Sequence, residues 1–237
     1  NHHLGVSGFA ERTVVSQRSA VKIAPDLPYE IAALFGCAVM TGVGAVVNTA
    51  QLRAGQSIAI FGLGGVGLAA LLGAVAAGAY PVVAVDVNPA KLALAAELGA
   101  RHCIQAGNSG NVPAQIKAAV NGGVDIAIET VGHEQVLAEA YHATRRGGTT
   151  VTVGLPHPSR MLSLSAVSLV AEERTLKGAY MGSCVPSRDL PRFVALYQAG
   201  RLPVDRLLTH RLTLDEINAG FDRLARGEAV RQVILMG

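Results

Sequence analysis

Three glycines in one short segment have the spacing of a phosphate-binding turn. Gly62, Gly64 and Gly67 form a G-x-G-x-x-G pattern that follows an apolar run at 57–61 and opens an alanine-rich run. In a turn from strand to helix, the first glycine allows the bend, the second leaves room for phosphate oxygens, and the third lets helix and strand pack closely. The amides and positive dipole end at the start of such a helix favour a pyrophosphate.

An acidic residue at the next predicted strand end matches the second half of a dinucleotide site. Asp86 follows the apolar run 82–85, about 20 residues after the glycines. A carboxylate there accepts hydrogen bonds from ribose hydroxyls and repels the 2′-phosphate of NADP, whereas Lys91 would soften that preference. The pattern therefore predicts a site for NAD. The alternatives are a glycine turn without a ligand and the similar turn of methyltransferases that use S-adenosylmethionine.

Cys37 is the residue most open to two interpretations. A free cysteine is commonly a small buried apolar group, but a thiolate is also a zinc ligand. The seven histidines show no HxxxH or HExxH spacing, and no serine lies in a G-x-S-x-G segment. Cys103 falls in a predicted strand and Cys184 in a predicted loop, so both are interpreted as structural or incidental.

The elements that must position these residues alternate between strand and helix. After residue 180 this pattern changes to two amphipathic helical segments, at 188–200 and 213–228, and a last strand at 231–236. The alternation before it predicts a doubly wound parallel sheet, an α/β fold with right-handed crossovers. The predicted strands are 57–61, 82–85, 102–105, 124–129, 149–153 and 176–179, and the predicted helices are 65–78, 89–98, 112–120 and 135–144. Before them, the segment 21–34 is interpreted as a strand end, a Pro/Asp turn and a helix that ends at residue 34.

The amino-acid composition indicates the class of protein and excludes some kinds of partner. The 237 residues are 50% hydrophobic and 16% charged, with 27 glycines, which suits a large core with many tight turns. The net charge of +3 comes from scattered residues, so we expect no nucleic-acid and no membrane partner.

The uncharged segment 54–85 is long enough to span a bilayer, but its glycines and Pro81 favour a buried strand–turn–helix–strand. Three widely spaced cysteines and no visible signal peptide predict a cytoplasmic protein without a disulfide framework.

Several segments together resemble the medium-chain, zinc-dependent alcohol dehydrogenases. They follow the family's order and cover essentially the whole chain: SGFAERTVV, GCAVMTGVGAVVNTAQLRAGQSIAIFGLGGVGLAALLGA, VDVNPAKLALAAELGA, VDIAIETVG, VTVGLP and INAGFDRLARGEAVRQVILM. The resemblance implies a Rossmann domain at 39–180, with 1–38 and 181–237 forming part of a GroES-like catalytic domain. It also implies NAD- and zinc-dependent interconversion of a small alcohol with an aldehyde or ketone, in a homodimer or homotetramer with a seam near 161–164.

The resemblance also implies a role for individual residues. Cys37 would be the third protein ligand of a catalytic zinc, and Thr41 would lie against the nicotinamide. Met181 stands where the family often has an aromatic residue. The implied cofactor contacts are the turn Gly62, Leu63, Gly64, Gly65, Val66 and Gly67, the ribose residues Asp86 and Lys91, the carboxamide-holding backbone of Val153, Leu155, Ala179 and Met181, and Arg231 at the pyrophosphate.

This sequence departs from the family's pattern at its start. The family's first zinc cysteine, zinc histidine, proton-relay hydroxyl and four-cysteine zinc loop precede the residues present here. A truncated product with an intact cofactor domain and an incomplete zinc site is therefore expected. The alternatives are a zinc-free quinone or enoyl reductase of the same superfamily, in which Cys37 would only pack, and a non-catalytic nucleotide-binding module.

Overall fold

A computed structural model describes residue 6, residues 8–107 and residues 110–236 of the chain. It divides the chain into two compact units, one formed by Cys37–Cys184 and the other by Asn1–Gly36 together with Val185–Gly237. Residues 1–5 and 7, which belong to the predicted segment 1–38 and include His2 and His3, lie outside the described residues. The assignment of 1–38 and 181–237 to a GroES-like domain stays a prediction.

The unit Cys37–Cys184 contains a six-stranded parallel sheet with the strand order β3-β2-β1-β4-β5-β6. Helices connect successive strands, and this arrangement confirms the predicted α/β Rossmann fold. The strands are β1 (Ile58–Phe61), β2 (Val82–Asp86), β3 (His102–Gln105), β4 (Val124–Glu129), β5 (Thr144–Thr152) and β6 (Thr175–Gly178). The helices, with α1 shared between the two units, are α1 (Tyr29–Thr49), α2 (Gly65–Ala76), α3 (Pro89–Glu97), α4 (Val112–Ala119), α5 (Glu134–Ala143) and α6 (Ala166–Ala171).

The central strands explain why the apolar runs are continuous rather than alternating. All four residues of β1 are buried, because β1 lies between β2 and β4 and both faces of the sheet are covered. The strand order reverses direction between β1 and β4. In open parallel sheets a crevice forms at such a reversal, beyond the carboxyl ends of the two strands, and ligands bind there. The uncharged segment 54–85 forms β1, α2 and β2, as interpreted from its sequence.

The helix α1 was predicted only to residue 34, but it continues to Thr49 through π-helical segments at Phe35–Val39 and Ala45–Thr49. Gly42 lets it approach α2 closely, because a Cβ there would lie 2.3 Å from the Val66 carbonyl oxygen. Of the described helices, α1 is long and apolar enough to cross a bilayer, but 61% of its most apolar window is buried within the protein. Length and composition alone therefore do not make it a membrane span.

Within its described residues, the second unit holds a small two-stranded parallel sheet and two helices besides the start of α1. Its elements are β7 (Leu208–Leu212), β8 (Arg231–Ile234), α7 (Pro186–Gln198) and α8 (Ile217–Ala225). The two amphipathic helices and the last strand match the predicted pattern within a few residues, whereas β7 was not predicted. Short 3₁₀ turns lie at Gln17–Ser19, Met181–Ser183, Val204–Leu207 and Leu214–Glu216.

A buried carboxylate anchors the start of α7. Asp189 has no exposed surface and accepts a hydrogen bond from the Val185 amide at 2.9 Å. Its two oxygens also accept from Arg188, both at 2.8 Å, and Arg192 donates to one of them at 3.2 Å. The hydrogen bond from Arg188 is the largest of the influences that lower the pKa of Asp189 to about 2.

Asp189 is expected to contribute to loss of stability in acid. Because its pKa is lower in the folded chain than in the unfolded chain, it stabilises the fold above about pH 4, and this contribution is lost as the pH falls toward 2. Asp189→Asn should cost up to about 2 kcal/mol in the free energy of unfolding at pH 7, and less at pH 3. Urea unfolding at both pH values measures this, and an equal cost at both would contradict it.

Candidate functional site

The three glycines of the turn between β1 and α2 each meet a different requirement. Gly62 has a φ of +88°, a conformation that L-residues with a side chain rarely adopt. A Cβ on Gly64, the residue before the first turn of α2, would meet no atom within 4 Å. A Cβ on Gly67 would lie 1.8 Å from the Gly62 carbonyl oxygen. Gly62 thus permits the bend, and Gly67 permits α2 to pack closely against the turn. Gly64 faces open space at the amino end of α2.

Asp86 holds this turn in place from the end of β2. Its Oδ2 accepts a hydrogen bond from the Leu63 amide at 2.6 Å, and its Oδ1 accepts one from the Asn88 amide at 2.8 Å. A carboxylate has about four lone-pair sites, so each oxygen can accept a further hydrogen bond. The same side chain can therefore fix the glycine-rich turn and accept hydroxyl donors from a ligand.

A cavity of about 320 Å³ opens beside the turn and Asp86. Its lining combines polar side chains such as Asp86 and Lys91 with apolar ones, which suits a sugar joined to a planar ring. Burial raises the pKa of Glu139 on this wall, in keeping with partial shielding from water. The lining residues are Phe61, Gly62, Leu63, Gly64, Val85, Asp86, Val87, Lys91, Ala106, Thr130, Val131, Val136 and Glu139.

Part of the cavity lining comes from residues that the sequence analysis did not select. Thr130 follows β4, and its hydroxyl lies 3.0 Å from the carbonyl oxygens of both Phe61 and Gly62. Its neighbour Val131 lines the cavity and would contact a Cβ on Gly62 at 2.6 Å. The sequence signal available was the polar pair Glu129–Thr130 at the carboxyl end of a buried, largely apolar strand, where ligands bind in parallel sheets.

The predicted carboxamide-holding residues lie at or just beyond the carboxyl ends of β5 and β6. The Val153 amide donates to the Glu129 carbonyl at 2.9 Å, and the Ala179 amide donates to the Thr152 carbonyl at 2.9 Å. Leu155 is 80% exposed, and Met181 has a φ of +47°. These backbone positions share one edge of the sheet with the glycine-rich turn. Their contacts with a cofactor stay predictions.

Cys37 and Thr41 both lie on α1, whereas Arg231 lies in β8. Cys37 is exposed and Thr41 is 9% exposed. Catalytic zinc needs three protein ligands, but no three histidine, cysteine or acidic side chains are grouped for a metal ion within the described residues. The described residues therefore do not form a zinc site around Cys37. Arg231 belongs to the other unit, so its pyrophosphate contact stays a prediction.

Comparisons with known proteins agree with this architecture. The family model for zinc-binding dehydrogenases matches residues 65–199. Geraniol dehydrogenase from Castellaniella defragrans is 41% identical over 231 residues, which cover 98% of this chain and 62% of that protein. The chain thus spans less than two thirds of this curated relative.

Solved structures show the same fold. Benzyl alcohol dehydrogenase from Acinetobacter calcoaceticus matches with a TM-score of 0.87 and 33% identity, covering 91% of this chain and 59% of that one. An alcohol dehydrogenase zinc-binding domain protein from Burkholderia ambifaria matches with a TM-score of 0.87 and 35% identity, covering 92% of this chain and 58% of that one. Since the family model alone covers more than half of the sequence, this chain belongs to the zinc-binding dehydrogenases of the medium-chain alcohol dehydrogenase family.

Proposed function

We propose that this chain is the nucleotide-binding part of an NAD-dependent alcohol dehydrogenase, which interconverts an alcohol with an aldehyde or ketone. The observation that carries the proposal is the open space at Gly64, at the amino end of α2 and beside the Asp86 carboxylate. A pyrophosphate fits a helix amino end, and a ribose fits a neighbouring carboxylate. The relatives named for geraniol and benzyl alcohol support an alcohol as the substrate class.

Different residues of the chain would bind different parts of NAD. The amides of the turn would take the pyrophosphate, Asp86 the ribose hydroxyls, and Thr41 a position against the nicotinamide. Bound NAD supplies the acceptor for a hydride from the alcohol carbon. The remaining contacts would come from Leu63, Gly65, Val66 and Lys91 near the turn, from the backbone of Val153, Leu155, Ala179 and Met181, and from Arg231.

The expectation of zinc has less support from the described residues. Cys37 stays the predicted zinc ligand, but the described residues group no second and third ligand with it. None of the binding roles above depends on a metal ion.

The partners and location stay predictions. We propose a homodimer or homotetramer in the cytoplasm, with a small-molecule alcohol or aldehyde as substrate and no nucleic-acid or membrane partner. Residues 161–165 form no strand within the single chain, and the two edge strands of the sheet are β3 and β6. A seam at 161–164 would therefore need its backbone partner from a second copy.

Calorimetric titration of the folded chain tests the central proposal. NADH should give a saturable binding heat, and S-adenosylmethionine should give none. A folded chain that gives no heat with NAD or NADH would contradict dinucleotide binding. Heat with S-adenosylmethionine alone would favour the methyltransferase alternative.

Asp86→Ala is expected to lower the ratio of NADH to NADPH affinity at least about tenfold. The change removes acceptors for the ribose hydroxyls and the negative charge that repels a 2′-phosphate. Because Asp86 also holds the Leu63 amide, both affinities should fall, and the informative quantity is their ratio. Asp86→Asn is the control for the turn, since its amide oxygen can still accept from Leu63, although its nitrogen cannot accept from the Asn88 amide. A ratio unchanged in both variants would contradict the ribose role.

A further inference from the structure

A buried carboxylate lies at the carboxyl end of β4. Glu129 is 1% exposed. Its Oε1 accepts hydrogen bonds from the amides of Val131 and Gly132, both at 2.6 Å. Its Oε2 accepts from the Thr152 hydroxyl at 2.6 Å. A carboxylate removed from water needs such donors, so this group is held by three hydrogen bonds from two separate segments.

The two segments joined by Glu129 lead to two different parts of the predicted cofactor site. Val131 belongs to the turn after β4 and lines the cavity beside Asp86. Thr152 ends β5 and carries the backbone that leads to Val153, whose amide donates to the Glu129 carbonyl. The carbonyl of Thr152 also accepts from the Ala179 amide. Glu129 thus connects the cavity wall to the carboxyl end of β5 and, through Thr152, to the carboxyl end of β6. The predicted carboxamide contacts lie just beyond these two strand ends.

Backbone packing shows that these segments touch. A Cβ on Gly154 would lie 2.1 Å from the Gly132 amide nitrogen and 2.4 Å from its Cα. A Cβ on Gly132 would lie 3.0 Å from three backbone atoms of Leu155. Glycines permit this contact, but they contribute no side chain to fix its register. The three hydrogen bonds of Glu129 supply that constraint.

We propose that Glu129 is a positioning residue that fixes the turn after β4 against the loop after β5. It would set the spacing between the part of the site for the adenosine ribose and the part for the nicotinamide. This inference rests on the proposed function. The ribose end depends on Asp86 and the glycine-rich turn, which have their own hydrogen bonds. The predicted nicotinamide end follows Val153 and Ala179, whose amides donate to the backbone carbonyls of Glu129 and Thr152. The Glu129 side chain acts on this end through the Thr152 hydroxyl.

Binding of whole and partial ligands tests this role. Glu129→Ala should weaken NADH binding roughly tenfold more than binding of ADP-ribose, which lacks the nicotinamide. Glu129→Gln should restore the ratio, because its amide oxygen can accept from Val131 and Gly132 while its nitrogen donates to the Thr152 hydroxyl. Thr152→Val removes only the hydroxyl and keeps the branched shape. It should shift the ratio in the same direction by a smaller factor.

The other end of β4 offers a matched control. Asp125 also joins neighbouring segments, because it accepts from the Ser57 amide at 2.8 Å, the Ser57 hydroxyl at 2.6 Å and Arg145 at 2.7 Å. It lies at the amino end of the strand, away from the predicted site. Asp125→Ala should therefore lower stability without changing the ratio of NADH to ADP-ribose affinity. A merely structural Glu129 would behave in the same way.

The outcomes separate this inference from the proposed function. If the wild-type chain binds NADH and the ratio is unchanged in Glu129→Ala, the positioning role is overturned and the proposed function stands. If Glu129→Ala does not fold, an unchanged ratio in Thr152→Val overturns the role. If the folded wild-type chain binds neither ligand, the proposed function fails and this inference fails with it.

Discussion

Replacing Gly64 with valine is expected to abolish NADH binding while leaving the fold intact. A Cβ at this position would meet no protein atom within 4 Å, and the backbone there has a φ of −73° and a ψ of −172°. Valine adopts this extended conformation readily. Its branched side chain would stand in the space through which a pyrophosphate must approach the amides of α2. The substitution thus acts on the ligand and not on the packing.

The expected loss of NADH affinity is at least about 100-fold, or about 2.7 kcal/mol. The free energy of unfolding should fall by only about 1 kcal/mol, because valine is a poorer residue than glycine at the start of a helix. Calorimetry measures the affinity and urea unfolding measures the stability. Gly64→Ala, which adds one methyl group, should give a smaller loss of affinity. Full affinity in folded Gly64→Val would contradict a pyrophosphate at this turn.

The sheet could be predicted from sequence because its strands are buried on both faces. Each strand then appears as an apolar run, such as Ile58–Phe61, and a helix-forming segment must follow to connect parallel neighbours. The predicted bounds agree to within two residues for every strand of this six-stranded sheet except β5. That strand begins at Thr144 instead of 149, with an irregular register between Val124 and Ile126. Gly147 and Gly148 lie in this irregular part, which therefore does not appear in the sequence as an apolar run.

The helix α1 could not be predicted beyond residue 34, because its glycines argue against a helix. Gly36, Gly42 and Gly44 each lower intrinsic helix propensity by about 1 kcal/mol relative to alanine. Two of them are required by tertiary contacts. A Cβ on Gly42 would lie 2.3 Å from the Val66 carbonyl oxygen, and one on Gly44 would lie 2.4 Å from the sulfur of Cys184. Close packing outweighs local propensity here, and such packing is visible only once the neighbours are known.

In the candidate site, too, contacts between residues that are distant in sequence could not be predicted. Gly62, Gly64 and Asp86 could be found from sequence because their spacing along the chain is nearly fixed by one strand–helix–strand unit. Glu129 and Thr152 could not be paired, since their contact depends on β4 and β5 being neighbours in the sheet. The role of Cys37 came only from the family resemblance, and the described residues group no further zinc ligands with it.

Replacing Gly67 with alanine is expected to have the reverse effect of the Gly64 substitution and to destabilise the Rossmann unit strongly. The new Cβ would lie 1.8 Å from the Gly62 carbonyl oxygen, 2.9 Å from its carbon and 3.0 Å from the Thr130 hydroxyl. The nearest two atoms are backbone atoms of a turn that already has a φ of +88°, so no flexible side chain can move aside. The helix α2 would have to shift away from β1.

Alanine would contribute about 1 kcal/mol of helix propensity, but this gain is small beside the overlap. We expect the free energy of unfolding to fall by at least about 3 kcal/mol, at the upper end of the cost of overpacking. Urea unfolding of Gly67→Ala beside Gly64→Ala measures the difference with the same added methyl group. Equal stability of the two variants would contradict the close contact between α2 and β1. A much lower stability of Gly67→Ala would instead show that Gly67 is required by the fold, whereas Gly64, three residues earlier, leaves room for the ligand.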